Sequence, residues 1–106
     1  MAKFNFKDQE LKDLAGVSFR KVEKTDNGEV ETPVTVADAI QANLLAENQE
    51  ATSSERYQCF QLAERLKRAE GEVEFSAEEI VLIKKITGRN PNPLIIGRIW
   101  DALEGK

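Results

Sequence analysis

The sequence SAEEIVLIKKITGRNPNPLIIGRIWDAL, residues 76–103, decides the fold of the C-terminal part of the chain. Its first four residues, 76–79, form a capping box, and an apolar run at helical spacing follows directly. Gly88 is placed to end the helix that this box opens. Asn92-Pro93 then opens a second helix, because proline is favoured at the first helical position. The stretch therefore predicts two consecutive helices joined by a short turn.

The second of these helices carries more apolar side chains than one core face needs. On a helical wheel they span about 160°, and they are Ile95, Ile96, Ile99, Trp100, Ala102 and Leu103. One side of this arc can fill the core, while Trp100 with Ile99 and Leu94 can contact a partner or a second copy of the chain. The alternative is complete burial within one chain, because a small domain needs most of its apolar residues for its core.

The two helices also have the outline of a helix-turn-helix DNA-binding motif. The recognition helix of such a motif reads base edges with polar side chains at its N-terminal end. Here those positions hold Pro93, Leu94, Ile95 and Ile96, whose side chains cannot hydrogen-bond to a base. The pattern therefore favours a packed pair of helices.

A β-hairpin is the clearest signal in the N-terminal part of the chain. Asp26-Asn27-Gly28 is a turn sequence, and Asn-Gly fits the central positions of a type I′ turn, which need positive φ angles. Pro33 lacks an amide donor and is expected to end the second strand. Phe4-Asn5-Phe6 alternates like a further short strand. We expect residues 1–34 to form a β-hairpin region.

Two more helices are predicted between the hairpin and the C-terminal pair. Thr35 is an N-cap for a helix over residues 36–46. The capping box Thr52-x-x-Glu55 opens a helix that extends to about Ala69. The segment 72–75 is expected to be a short extended link.

The order of these elements predicts the α+β fold class. The hairpin region is followed by about four short α-helices packed as a small helical domain, residues 35–106. A length of 106 residues corresponds to a single domain, and one cysteine permits no disulfide within the chain. The opening MAKFNFKDQE lacks the apolar run of a signal peptide. We expect a soluble, cytoplasmic domain that does not enter a membrane.

The residue types offer little for catalysis. The chain has no histidine and a single cysteine, which excludes a cysteine–histidine pair and a thiolate zinc cluster. The phosphate-binding motifs GxxxxGK[ST] and GxGxxG do not occur. Neighbouring carboxylates are expected to be solvated rather than joined in a catalytic or Mg²⁺ site, and they are Asp8/Glu10, Glu29/Glu31, Glu72/Glu74 and Glu78/Glu79. We predict no catalytic, cofactor or metal site and no enzyme activity.

The helix that begins near Thr52 has one apolar stripe and two aromatic residues outside it. Cys59 lies on the stripe with Leu66, which predicts a buried thiol. Tyr57 and Phe60 lie on another side, next to charged residues. They are expected either to pack beneath the N-terminal hairpin or to be exposed contacts for a protein partner.

The charged residues suggest two further alternatives. The second helix ends with Arg65, Lys67 and Arg68, and the third ends with Lys84, Lys85 and Arg89. If these ends lie close together, they form a positive patch for nucleic acid; otherwise they are solvated charges that complement the helix dipoles. The net charge is −4, and residues 1–50 account for it with six Lys/Arg against ten Asp/Glu. This excess allows a weak acidic DNA mimic and makes nucleic-acid binding the less favoured alternative.

The C-terminal helices also carry a resemblance to known proteins. FSAEEIVLIKKITG, residues 75–88, and PLIIGRIWDALEG, residues 93–105, are the most specific part of a similarity that covers nearly the whole chain. In this pattern the chain resembles small proteins encoded by tailed bacteriophages and prophages. The resemblance implies a phage origin and a location in the cytoplasm of the bacterial host cell, and it brings no catalytic motif with it.

Taken together, these patterns predict a non-enzymatic phage protein that acts by protein–protein interaction, in virion assembly or on a host protein. The candidate contact residues are Tyr57, Phe60, Leu94, Ile99 and Trp100. The alternatives are a nucleic-acid-binding accessory protein that uses the basic helix ends, and an acidic DNA mimic.

Overall fold

The computed structural model describes residues 2–47 and 50–105 of the chain. These residues form two two-stranded antiparallel sheets and four α-helices. The strands are β1 Ala2–Phe4, β2 Arg20–Thr25, β3 Gly28–Pro33 and β4 Val73–Phe75. The helices are α1 Val36–Leu45, α2 Ser53–Arg68, α3 Ala77–Thr87 and α4 Pro93–Leu103, with a one-turn 3-10 helix at Phe6–Asp8. The predicted α+β fold class is confirmed.

Local capping residues start the helices where the sequence predicted. The Thr52 hydroxyl accepts a hydrogen bond from the Glu55 amide at 3.1 Å, and the Ser76 hydroxyl accepts one from the Glu79 amide at 3.1 Å. The Asn92 side chain accepts one from the Leu94 amide at 3.0 Å, with proline at the first helical position. These bonds satisfy amides that have no partner within the helix.

The first strand pairs with a segment that was expected to be only a link, residues 72–75. β1 lies antiparallel to β4, with Phe4 opposite Val73. The prediction of one β-hairpin region over residues 1–34 is therefore corrected: the hairpin consists of β2 and β3, and β1 belongs to the helical body. A pairing between segments so far apart in the chain leaves no mark in the local sequence pattern.

Three phenylalanine rings join this small sheet to the core. The Phe4 and Phe6 ring centroids are 4.8 Å apart, and they lie 6.2 and 6.4 Å from the Phe75 centroid. The predicted strand Phe4-Asn5-Phe6 is wrong in extent, because the strand ends at Phe4 and the chain enters the 3-10 helix at Phe6. That turn directs the Phe6 ring into the core, where it is fully buried.

The hairpin turn lies where it was predicted but is not of type I′. Thr25 is paired with Gly28, so Asp26 and Asn27 form the loop. Every described residue with a positive φ is a glycine, and Gly28 has a φ of 109°. Asn27 therefore lacks the positive φ that a type I′ turn needs at both central positions. The Thr25 hydroxyl stabilises the turn instead, because it donates to the Gly28 carbonyl at 2.9 Å.

α1 lies at the centre of the packing and contacts α2, α3, α4 and the 3-10 helix. Buried residues from all four helices, the 3-10 helix and β4 form one hydrophobic core. Its largest fully buried apolar side chains are Phe6, Ile40, Leu66, Phe75, Ile83 and Ile99. The core thus takes one side of each helix and leaves the other sides to solvent.

Arg98 attaches the loop that precedes the hairpin to α4. Its Nε donates to the Lys12 carbonyl at 2.9 Å, and its Nη2 donates to the Asp13 carbonyl at 2.6 Å. The Asp13 carboxylate in turn accepts hydrogen bonds from the Ala15 and Val17 amides at 2.9 and 3.0 Å. The polar side of α4 therefore holds part of the N-terminal chain in place.

Candidate partner-binding surface

The outer side of α2 exposes two aromatic rings. The centroids of Tyr57 and Phe60 are 6.3 Å apart, with 24° between the ring planes. The residues are 61% and 49% exposed. Packing of this pair beneath the N-terminal hairpin is therefore wrong, and the alternative of an exposed aromatic pair is the one that the structure supports.

Leu45, at the end of α1, extends this apolar area across the groove between α1 and α2. It is 60% exposed. Leu45 and Phe60 line two adjoining hollows, with volumes of about 390 and 470 Å³. We call Leu45, Tyr57 and Phe60 the α1–α2 surface. Leu45 was not among the predicted contact residues, although its position off the apolar stripe of α1 is a signal that could have identified it.

Charged side chains border one end of the α1–α2 surface. Glu64 and Arg68, one turn apart on α2, form an ion pair at 3.5 Å, and the Arg68 side chain is 77% exposed. Lys67 makes no ion pair within residues 2–47 and 50–105, while its backbone carbonyl accepts a hydrogen bond from Lys7 Nζ at 3.1 Å. Lys67 is therefore available to a partner's carboxylate. Arg68 is available as well, because its exposed ion pair with Glu64 contributes little to folding.

The aromatic and aliphatic candidates on α4 are less accessible. Ile99 is fully buried in the core, so its assignment to a partner contact is wrong. Trp100 is 38% exposed, and Lys84 Nζ lies 5.7 Å from its ring centroid. Leu94 is half-buried. The wide apolar arc of α4 is therefore used mainly within this chain, and Trp100 remains its one large exposed side chain in the described residues.

The two basic clusters lie at opposite ends of an antiparallel helix pair. Arg65, near the end of α2, pairs with Glu79 at the start of α3 at 2.9 Å. Lys85, near the end of α3, pairs with Glu55 at the start of α2 at 2.7 Å. The two basic helix ends therefore do not lie close together, and they do not form a single positive patch.

Most of these cations also have acidic partners close by. Lys84 Nζ lies 2.9 Å from a Glu104 carboxylate oxygen, and Arg89 Nε lies 3.9 Å from a Glu50 carboxylate oxygen. The balanced charges match the alternative in which the basic residues complement the helix ends.

The neighbouring carboxylates do not converge on a metal site. Glu74 pairs with Lys3 at 3.5 Å across the small sheet, and Glu79 accepts a hydrogen bond from the Ser76 amide at 2.8 Å. In the part of the chain that the structure describes, no group of three or more His, Cys, Asp or Glu side chains is arranged to hold a metal ion.

Cys59 lies on the inner side of α2, where it is 4% exposed. Burial raises the pKa of its thiol, and the charge of Glu55 raises it further. Because the thiolate is the reactive form of cysteine, this thiol is a packing group rather than a nucleophile at neutral pH.

The ion pair between Glu79 and Arg65 makes folding depend on pH. The hydrogen bond from Arg65 lowers the pKa of Glu79 below its ordinary value of 4.5, and partial burial offsets this only in part. Because the pKa is lower in the folded state, the stabilisation is present above pH 4.5 and is lost as the pH falls through the folded value. We expect Glu79→Gln to lower the free energy of unfolding at neutral pH by roughly 1 kcal/mol.

Urea denaturation at a series of pH values from neutral to acid checks this expectation. The variant should lose less stability on acidification than the wild type. Glu78→Gln, one residue away and exposed, is the matched control and should follow the wild type. Identical pH dependence in wild type and Glu79→Gln would contradict the assignment.

No protein-family model, curated protein or solved structure matches this chain. The resemblance to phage proteins therefore rests on the sequence motifs alone. As a separate finding, none of the helices within residues 2–47 and 50–105 combines the length and the apolar content that crossing a bilayer requires.

Proposed function

We propose that this protein is a non-enzymatic phage or prophage protein that acts by binding another protein, in virion assembly or on a host protein, in the cytoplasm of the bacterial cell. The observation that carries the proposal is the stacked and exposed pair of Tyr57 and Phe60 beside Leu45. The phage origin comes from the sequence resemblance.

The use of the aromatic residues supports a binding role for this surface. Phe6 and Phe75 are buried in the core and Phe4 packs against it, whereas Tyr57 and Phe60 are exposed to water. Aromatic side chains bury 150–250 Å² each when covered and are enriched at the centres of protein interfaces. No contact within the described residues covers the outer side of this pair, so a partner would gain this burial.

The chemistry of the surface also indicates what kind of segment would bind. An apolar area formed by Leu45, Tyr57 and Phe60 would take apolar side chains of a partner. Lys67 and Arg68 at its border would take a carboxylate, since opposite charges at an interface rim favour the correct encounter. We therefore expect the partner to present an apolar segment flanked by an acidic residue.

The test is retention of partners on immobilised protein from bacterial extracts, with and without phage infection. We expect a partner retained by the wild type to bind Tyr57→Ala/Phe60→Ala about 30-fold more weakly, as loss of about 2 kcal/mol at a hot spot implies. Affinity would be measured with the purified partner.

Val81→Ala is the matched control, because Val81 is 65% exposed and belongs to α3, which contributes no residue to this surface. It should bind like the wild type. Equal affinity of all three proteins for every partner, with the fold preserved, would overturn the proposal.

Nucleic-acid binding has less support, because the two basic clusters lie apart and are mostly paired with acids. A gel shift at low salt that weakens when either cluster is neutralised would replace the proposal with this alternative. Competition with DNA for a host protein would instead favour the acidic DNA mimic.

A further inference from the structure

The hairpin formed by β2 and β3 projects from the body of the protein. Every residue from Val22 to Glu31 is exposed, so neither face of the hairpin is covered there. Val22 is 63% exposed and Val30 is 45% exposed. An isolated two-stranded hairpin is marginally stable in water, and it gains most from a further strand or a covered face.

The base of the hairpin is held firmly, so its direction is fixed. The Leu11 amide donates to the Val34 carbonyl at 2.7 Å, the Val34 amide donates to the Phe19 carbonyl at 2.7 Å, and the Phe19 amide donates to the Leu11 carbonyl at 2.9 Å. Lys21 pairs with Asp38 of α1 at 2.9 Å. The hairpin is therefore an arm with a defined orientation rather than a loose loop.

Both edges of the arm present unpaired backbone groups. The Val34 amide donates to the Phe19 carbonyl, so these two residues direct their backbone groups toward each other. In an antiparallel pair such residues alternate with residues whose amide and carbonyl point away from the partner strand. On β2 these residues are Arg20, Val22 and Lys24, and on β3 they are Glu29 and Glu31. Pro33, the next in this series, has no amide to offer.

The two edges carry opposite charges. Among the outward-directed residues, β2 has only the cations Arg20 and Lys24, and β3 has only the anions Glu29 and Glu31. Within residues 2–47 and 50–105 none of these four side chains is in an ion pair. Edge charges deter pairing when like charges meet, but here one edge is the electrostatic complement of the other.

We propose that this arm is a self-association site, in which the β3 edge of one copy adds to the β2 edge of a second copy. Backbone hydrogen bonds would form across the new strand pair, with Glu29 and Glu31 of one copy next to Arg20 and Lys24 of the other. Pairing of β2 with β2, or of β3 with β3, would bring like charges together and is disfavoured.

This contact joins two different surfaces, so it leaves one free edge of each kind at the ends of the assembly. Such a head-to-tail contact produces a ring if its rotation closes and an open chain of copies if it does not. The base of the arm and Lys67 line one hollow, but the charged edge residues of the arm are not part of the α1–α2 surface. The inference therefore does not rest on the proposed binding of a partner there.

The test uses charge exchange on the full chain, with mass measured by sedimentation and light scattering. We expect the wild-type mass to exceed that of the monomer and to rise with concentration. The mass should fall between about 0.01 M and 1 M salt, as the Debye length shrinks from about 30 to about 3 Å. Arg20→Glu/Lys24→Glu and Glu29→Lys/Glu31→Lys should each be monomeric alone, because their two edges then carry the same charge.

Two further samples show whether a loss of self-association comes from the changed charges or from damage to the hairpin. An equimolar mixture of the two double variants should regain the high mass, and so should the quadruple variant that carries all four exchanges. Amide exchange should slow at Val22, Lys24, Glu29 and Glu31 when the mass rises. A wild type that stays monomeric at low salt would overturn the proposal, as would a mixture no larger than its components.

Loss of self-association in Tyr57→Ala/Phe60→Ala, with both double charge variants still associating, would also overturn it. That outcome would assign self-association to the α1–α2 surface. Loss of partner binding in the aromatic variant without any change in mass would leave the arm proposal intact.

Discussion

Replacement of Phe75 by alanine is expected to lower the free energy of unfolding by about 3–5 kcal/mol. The Phe75 ring is fully buried in the core, and its centroid lies 6.2 Å from that of Phe4 and 6.4 Å from that of Phe6. The guanidinium of Arg65 lies 5.7 Å from its ring centroid. Loss of the Phe75 ring would leave a cavity where β4, β1 and α2 meet. The effect is large for a domain of this size, whose total stability is small.

Urea denaturation followed by circular dichroism measures this loss. Phe60→Ala is the matched control, because it removes the same ring from a half-exposed position and should lower stability by only about 1 kcal/mol, the loss of its contact with Tyr57. Similar losses in the two variants would mean that the division between core and surface phenylalanines is wrong.

Replacement of Ile99 by alanine is the second large expected effect, at about 2–5 kcal/mol. Ile99 is fully buried on α4, in the same core as Ile83 and Ile86 of α3. The sequence alone allowed it to be part of a partner contact with Trp100. The structure shows Ile99 buried, so it contributes to stability and not to a partner contact. The variant should therefore be destabilised without losing any direct contact to a partner.

Val81→Ala provides the comparison, because it shortens an exposed aliphatic side chain on the neighbouring helix. Its unfolding curve should lie close to that of the wild type. An Ile99→Ala variant that keeps its stability but fails to bind a partner would indicate that Ile99 is a surface contact and would contradict its burial.

The helices could be predicted from sequence because their start signals are local. A hydroxyl at Thr52 or Ser76 and a glutamate three residues later satisfy each other without help from the rest of the chain. Proline after Asn92 acts in the same way. Each of these signals lies within one helical turn, and the helix boundaries were correspondingly close.

Strand pairing and the relative positions of helices could not be predicted in this way. The partner of β1 lies far along the chain, between α2 and α3, and short alternation around Phe4 does not identify it. The direction of α2 relative to α3 decides that Arg65 meets Glu79, and no local pattern encodes that direction. These contacts depend on how the whole core is filled.

The exposure of the candidate site was only partly predictable. The helical wheel separated Tyr57 and Phe60 from the buried stripe of α2, but it could not show whether another segment covers them. The same wheel left Trp100 and Ile99 together, although one is exposed and the other buried. Burial of adjacent residues depends on the shape of the neighbouring helix surface.

α2 divides its two tasks between two sides of one helix. Cys59, Leu62 and Leu66 hold the core, whereas Tyr57 and Phe60 take no part in it. Substitutions on the outer side can therefore accumulate one at a time, each with only a small folding penalty. Mutational tolerance should be high there and low on the inner side, so that a lineage carrying this fold can be redirected to a new target by a few changes.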